Sequence, residues 1–194
     1  MNTKSKTPPD KAARIVQAAI EAIYEKGLDQ VKLTDVAKQA GVTTGAVTYY
    51  FEDKDALLIA AFEWSCNAHL EEMISTDSES LLEPFLVALP VNRKQRRQWA
   101  VWLAFSVRAQ TSKRLHRIYV DHYRAAEQTV ADILGITDPE HAKQIAGQVI
   151  AAMDGVGLCA TLNAAQWPLD RQRDALTGLI SGVLASEQGR STRK

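Results

Sequence analysis

The chain has 194 residues, 46% of them apolar, with 23 Lys plus Arg against 23 Asp plus Glu, which suits one large globular domain or two small ones. This composition excludes a disordered chain, and the longest strongly apolar stretches, 99–107 and 149–153, fall short of the ~20 residues of a bilayer span. The opening MNTKSKTPPD leads into no apolar core with a cleavage site, so a cytoplasmic protein with no membrane partner is expected.

Helical spacing dominates from the start. Ala12, Ile15, Val16, Ala19, Ile20, Ile23 and Tyr24 form one apolar stripe, and Gly27 is expected to close that helix in the left-handed conformation. Short helices follow over about 33–40 and 44–50, split by Gly41. Asp53 is placed to cap a long fourth helix with Leu57, Leu58, Ala61, Phe62, Ser65 and Cys66 along one side. The polar run STDSES marks a boundary, and Pro84 and Pro90 bracket a short irregular piece. Asn92 can cap a sixth helix to about Gln110, and a seventh runs over about 113–134 to Gly135. Asp138 with Pro139 starts an eighth that reaches about Ala165, and Asp170 caps a ninth that ends near Ser186. No strand pattern or internal repeat is found, so the expected fold class is all-α.

Residues 33–51, LTDVAKQAGVTTGAVTYYF, carry the most specific signal. A helix-turn-helix needs a small residue where its helices cross, a glycine four positions later that tolerates positive φ, and apolar inner faces. Ala37, Gly41 and the set Val36, Ala40, Val42, Val47 and Phe51 meet these needs. The outward positions Thr43, Thr44, Gly45, Thr48, Tyr49 and Tyr50 are polar, tiny or amphipathic, as a helix approaching phosphates and base edges requires.

The rest of the chemistry is sparse. Cys66 and Cys159 have neither CxxC spacing nor clustered histidines, so two buried or half-buried free thiols are expected, with no metal and no cofactor. His116 and His122 are not on one face at ligand spacing. No nucleophile motif or glycine-rich phosphate loop supports an enzyme. Asp154, in a glycine-rich stretch, reads as a buried hydrogen-bonding residue or a pocket group. Residues 1–54, 55–90, 91–130 and 131–194 carry net charges of +1, −7, +7 and −1, so neutrality is a cancellation of blocks. The −7 and +7 blocks are expected to pair within the body. Arg93, Lys94, Arg96 and Arg97 open the sixth helix, where the dipole disfavours cations, and need an acidic neighbour or phosphate.

From Arg14 to Leu58 the chain resembles the TetR family of bacterial transcriptional repressors: a first helix ending in Gly27, then VAKQAGV, TTGAVTYYF and EDKDALL. The resemblance implies an all-helical homodimer with a helix-turn-helix head over 1–54, a ligand-binding and dimerisation body over 55–187, and a flexible tail over 188–194, about nine helices in all. It places Thr43 and Tyr49 on phosphates of a double-stranded DNA operator and Thr44, Gly45, Thr48 and Tyr50 at bases or sugars. Lys54 would anchor the fourth helix on the backbone, with Thr34 and Lys38 as further candidates. Two positions depart from the family pattern. Lys32 stands where many members have a capping threonine, and a lysine can meet a phosphate but cannot accept the capping bond. Thr48 stands where many have a tyrosine.

AVWLAFSVRAQ, LHRIY and MDGVGLCATLNAAQWPLD resemble the body of the BetI branch, whose namesake responds to choline. A cationic effector needs several aromatic faces around one cavity. Trp99, Trp102, Phe105, Tyr119, Tyr123 and Trp167 are candidates, each equally able to fill the core, and His116 could donate a hydrogen bond to the ligand. Gly157 and Cys159 stand where branch members often carry tryptophan and arginine. Either they widen the cavity for a bulkier apolar or aromatic effector in place of a choline-like cation, or they permit closer packing in a dimer seam. Ile145, Val149, Ala152, Val156, Leu176, Leu179, Ile180 and Val183 are expected to build that seam, which holds two reading heads about 34 Å apart or a multiple of it. The expected function is a ligand-responsive repressor at a palindromic operator, with a scaffold that has lost DNA binding, or an activator, as alternatives.

Overall fold

A computed structural model describes residues 9–191 and the side chains of 11–186. Among these residues the elements are α1 (Pro9–Lys26), a 3-10 turn (Leu28–Gln30), α2 (Leu33–Ala40), α3 (Thr44–Tyr50), α4 (Lys54–Ser75), α5 (Glu83–Leu86), α6 (Arg93–Ala109), α7 (Lys113–Leu134), α8 (Pro139–Leu162) and α9 (Leu169–Ser191). The expected boundaries of α2, α3 and α7 are met. Helix α9 starts two residues earlier than expected, so Asp170 lies in its first turn, and it continues to Ser191, past the expected end near Ser186. The remainder of the expected tail, 192–194, lies outside the described residues.

Local chemistry sets these ends. Thr43, Asp53, Ser112 and Asp138 each accept a backbone N–H of the helix they precede, and Asn92 forms a reciprocal capping box with Gln95. Gly41 closes α2 at φ 66°, ψ 40°, a left-handed conformation costly to residues with a Cβ. Gly27 also has positive φ, but at ψ 154° it turns the chain into the 3-10 element instead of making the expected left-handed cap.

Two apolar clusters divide the molecule. The first joins α1–α3 to the first half of α4 and to Val101, Phe105, Ala109 and Leu115 of α6 and α7. The second joins Met73 of α4 and the α5 region to α7, α8 and α9. Ile145, Val149, Val156, Leu176 and Ile180 are fully buried in this second cluster, so they serve the subunit's own core and not the expected seam. The reason is packing: α8 lies between α7 and α9 and spends its apolar stripe on them. What remains outside is a second face, with Leu158, Leu162, Leu169 and Leu179 exposed. Helix α8 as a whole is also long and apolar enough to cross a membrane by length and composition, which counting unbroken apolar runs missed. Its buried stripe is that of a core helix.

The charge blocks pair differently from expectation. Arg93 reaches Glu21 of α1 at 2.8 Å, Arg97 pairs with the same carboxylate, and Arg114 meets Asp53 at 3.3 Å. Among the described residues, only Lys94 with Glu72 and Arg108 with Asp55, at 3.2 Å, join the two blocks themselves. Helix α6 packs along α1 as well as α4, so its first-turn cations meet the acid on α1. These pairs are largely exposed and individually weak. Their value is positional, because they tie body to head.

Gly157 has the tightest surroundings. A Cβ there would lie 2.0–2.4 Å from three atoms of the Trp99 indole, which occupies the space a side chain would need. Neither expectation for Gly157 holds in its original form, since the volume it vacates is filled by Trp99. Gly157→Ala should therefore destabilise the fold by about 1–3 kcal/mol. Thermal melts would check this, and adding Trp99→Phe should recover part of the loss.

Candidate nucleic-acid face and effector cavity

Lys32 and Thr43, the N-caps of α2 and α3, are exposed, as are Thr34 and Lys38 of α2 and Thr44, Gly45, Thr48 and Tyr49 of α3, with Tyr49 at 79%. Tyr50 is half-buried, packed against the first cluster and in edge contact with Tyr49 at 5.3 Å. The Thr43 hydroxyl accepts from Ala46 N–H at 3.1 Å, which leaves its own proton free to donate outward. The Thr48 hydroxyl is directed at the carbonyls of Thr44 and Gly45 at 3.3 and 3.2 Å, so its donor is spent within the helix. Lys32 occupies the N-cap of α2 without a side-chain bond, as its chemistry requires. Lys54 donates to the Asp29 carbonyl at 3.3 Å, and Arg14 donates to the Ala40 carbonyl at 2.6 Å, satisfying an open carbonyl at the end of α2.

The body holds an apolar cavity of about 80 Å³ between α4, α6, α7 and α8. Of the ten expected ligand residues, Trp99, Trp102, Tyr123 and Asp154 line it. Trp99 is fixed by its indole N–H donating to the Ala88 carbonyl at 2.9 Å and meets Trp102 edge-on at 5.2 Å. Tyr123 donates its phenol to Asp154. The other six lie elsewhere. Phe105 is fully buried and stacks on Phe62 at 3.8 Å. Tyr119 stands behind Tyr123 at 4.5 Å. Gly157 lies under Trp99, and Trp167 carries the Arg171 guanidinium over its ring at 4.5 Å. His116 and Cys159 are exposed, the latter against the expectation of a buried or half-buried thiol.

Sequence reading missed the α4 wall, Cys66, His69 and Met73, and His122 of α7. The signal was there: 62, 66, 69 and 73 continue the α4 stripe at helical spacing. Burial pushes the His69 imidazole down to about 4 and lowers His122 as well, so both are neutral near pH 7. His69 Nε2 has no hydrogen-bond partner of good geometry, although the Gln98 amide lies close by. Burial raises the Cys66 thiol and the Tyr123 phenol, which stay protonated.

Asp154 is the acid of the site. Burial raises its carboxyl to about 6, against the lowering effect of the Tyr123 hydrogen bond. A folded-state value above the unfolded one means the folded chain holds that proton more tightly. The penalty is therefore absent below about pH 4, grows as pH rises towards 6, and is complete above it. Asp154→Asn should stabilise the unliganded protein by about 2–3 kcal/mol at pH 8. The difference from the parent should close by pH 4 in denaturant melts followed across pH.

Residues 78–185 match the family of BetI-type transcriptional repressor C-terminal domains, and residues 15–61 match the tetR family of bacterial regulatory proteins. The HTH-type transcriptional regulator BetI of Burkholderia lata is 28% identical over 168 residues, which span 82% of this chain and 86% of that protein. BetI of Yersinia pestis is 26% identical over 173 residues, 80% and 83% of the two chains. A transcriptional regulator from Rhodococcus sp. RHA1 superimposes with a TM-score of 0.80 at 28% identity, over 90% of this chain and 96% of that one. A regulator from Saccharomonospora viridis, solved in complex with choline, has a TM-score of 0.70 at 22% identity, over 88% and 95%.

Proposed function

The chain belongs to the TetR family of bacterial regulatory proteins and has a BetI-type body, and from that premise we propose that it is a ligand-responsive repressor. In this reading it binds a palindromic operator as a homodimer and is released by a small organic cation. The observation that carries the cation is the cavity, where two tryptophans and a tyrosine share the lining with one half-buried carboxylate, Asp154. Aromatic faces attract a cation, and a carboxylate without a basic partner gains a counter-charge from it. The His69 imidazole, neutral at neutral pH and beside the Gln98 amide, is a polar group that a hydroxyl on such a cation would meet. Choline, bound by the Saccharomonospora viridis regulator, has both groups. A cavity of about 80 Å³ has to widen least for a small ligand, so a large apolar effector fits less well than a small cation.

Release follows from how the cavity is tied to the head. Its walls include α4 and α6, and Arg93 and Arg97 on Glu21, Arg108 on Asp55 and Arg114 on Asp53 link α6 and α7 to the head. A ligand that favours a wider cavity shifts α4 and α6 together, and with them the spacing of the two reading helices. The outer face of α8 and α9, with Leu158, Leu162 and Leu179 exposed beside Gly155, Cys159 and Gly182, supplies the dimer seam. Lys32, Thr34, Lys38, Thr43, Thr44, Gly45, Thr48, Tyr49, Tyr50 and Lys54 form the operator face.

The test has two arms. Thermal shift at pH 8 should show choline raising Tm by about 5–10 °C at a hundredfold excess over Kd, with bulky aromatics inert and Asp154→Asn abolishing the shift. The duplex upstream of the protein's own coding sequence should be bound in preference to random duplex and released by the same compound. Stabilisation by bulky apolar compounds alone would refute the cation, and equal binding to random duplex would refute the repressor.

A further inference from the structure

The net positive charge of the head is small. Residues 1–54 sum to +1, Lys26 is paired with Asp35 at 3.0 Å, and Lys54 is turned onto the Asp29 carbonyl. Across α2 and α3 this leaves Lys32 and Lys38 as the cations outside any ion pair among the described residues. Duplex DNA carries one negative charge per about 1.7 Å, and neutralising its phosphates supplies most non-specific affinity. A head of so small a net charge gains from further cations placed beside it.

Such cations lie in the body. Arg108 and Arg114 flank the turn between α6 and α7 and bond to Asp55 and Asp53, just beyond the last residue of the reading helix, Tyr50. This corner is thereby held against the start of α4, the end of that helix nearest the operator face. Two of its cations are outside any ion pair among the described residues. Lys113 and Arg117 are exposed and four apart on α7, so they share a face, and with Gln110, Thr111 and His116 they line a shallow open groove. Arg124 further along is partly offset by Asp121 at 3.2 Å.

We propose that the α6–α7 corner is a second nucleic-acid surface, on which Lys113 and Arg117 take the phosphate backbone beside the half-site held by α3. It reads no bases. Its contribution is electrostatic and sequence-independent, and it doubles the unpaired cations that each subunit's α2–α3 pair offers to the duplex. The corner also belongs to the elements that the effector cavity ties to the head, so a shift of α6 and α7 withdraws its cations from the phosphates as well as changing head spacing. The surface rests on the operator-binding reading above, and the experiment separates the two.

Binding of the full-length protein would be followed by fluorescence anisotropy against salt, on its own upstream duplex and on a random duplex. Lys113→Gln/Arg117→Gln is compared with the parent and with Lys143→Gln, an exposed cation on α8. The double variant removes up to four phosphate-neutralising charges from a dimer, so the slope of log K against log salt should become shallower by about 2–4 on both duplexes. The preference for the upstream duplex should be unchanged, and Lys143→Gln should leave the slope as in the parent. An unchanged slope in the double variant, or the same change per charge in Lys143→Gln, overturns the proposal. Failure of the parent to discriminate the two duplexes would instead count against the repressor reading, and the slopes on random duplex would still decide the corner.

Discussion

Helix α4 cannot bend cheaply, and the rest of the molecule is arranged around that fact. Its 22 residues form one uninterrupted rod from the Asp53 cap to Ser75. Leu57, Leu58, Ala61 and Phe62 belong to the head core, while Cys66, His69 and Met73 line the cavity. One rigid element therefore has its two ends in two functions. No proline, glycine or bulge interrupts the turns between His69 and Asp53 at which a displacement could be absorbed. The head–body ion pairs add little energy individually, and join α6 and α7 to α1 and to the start of α4.

The cavity's size is decided by an exchange of volume. Gly157 removes a side chain from α8, and Trp99 of α6 lies in the space, anchored at Ala88. Gly157 alone suggests more room; together with its partner it gives a narrow, aromatic-walled space. The same indole then meets Trp102 and shares the cavity with Tyr123 and Asp154. The absence of a side chain on one helix thus sets the wall of a cavity built on another, through close packing and not through any polar group.

The head was almost entirely legible in the sequence, because its signals are local. Ala37, Gly41, the Thr43 and Asp53 caps and the apolar stripes act within a few residues of themselves, and α2 and α3 begin and end where those signals place them. The body was legible as helices but not as contacts. Trp99, Tyr123 and Asp154 could be named as pocket groups from residue type. Which of the six aromatic candidates converge on one point depends on how α4, α6, α7 and α8 cross, and that is not written in any one of them. Phe105 and Trp102 share a helix and the same expectation, yet one stacks on Phe62 and the other lines the cavity. The buried stripes of α8 and α9 misled for a related reason: periodicity shows that a face is apolar but not whether its own chain or a second one covers it.

Asp154 is half-buried with a phenol for company and no basic side chain bonded to it among the described residues. Above pH 6 the empty protein thus keeps a charge where it is expensive, at the expense of its own stability. In the proposed reading a cation entering the cavity recovers that loss, so sensing strength and fragility of the empty form would have one physical origin. Substitutions that make the unliganded chain sturdier by neutralising this acid would dull its response. In a cell the consequence extends to amount as well as activity. On that reading the unliganded chain would open more often and meet proteases more often, and an effector would prolong the lifetime of the molecules it switches.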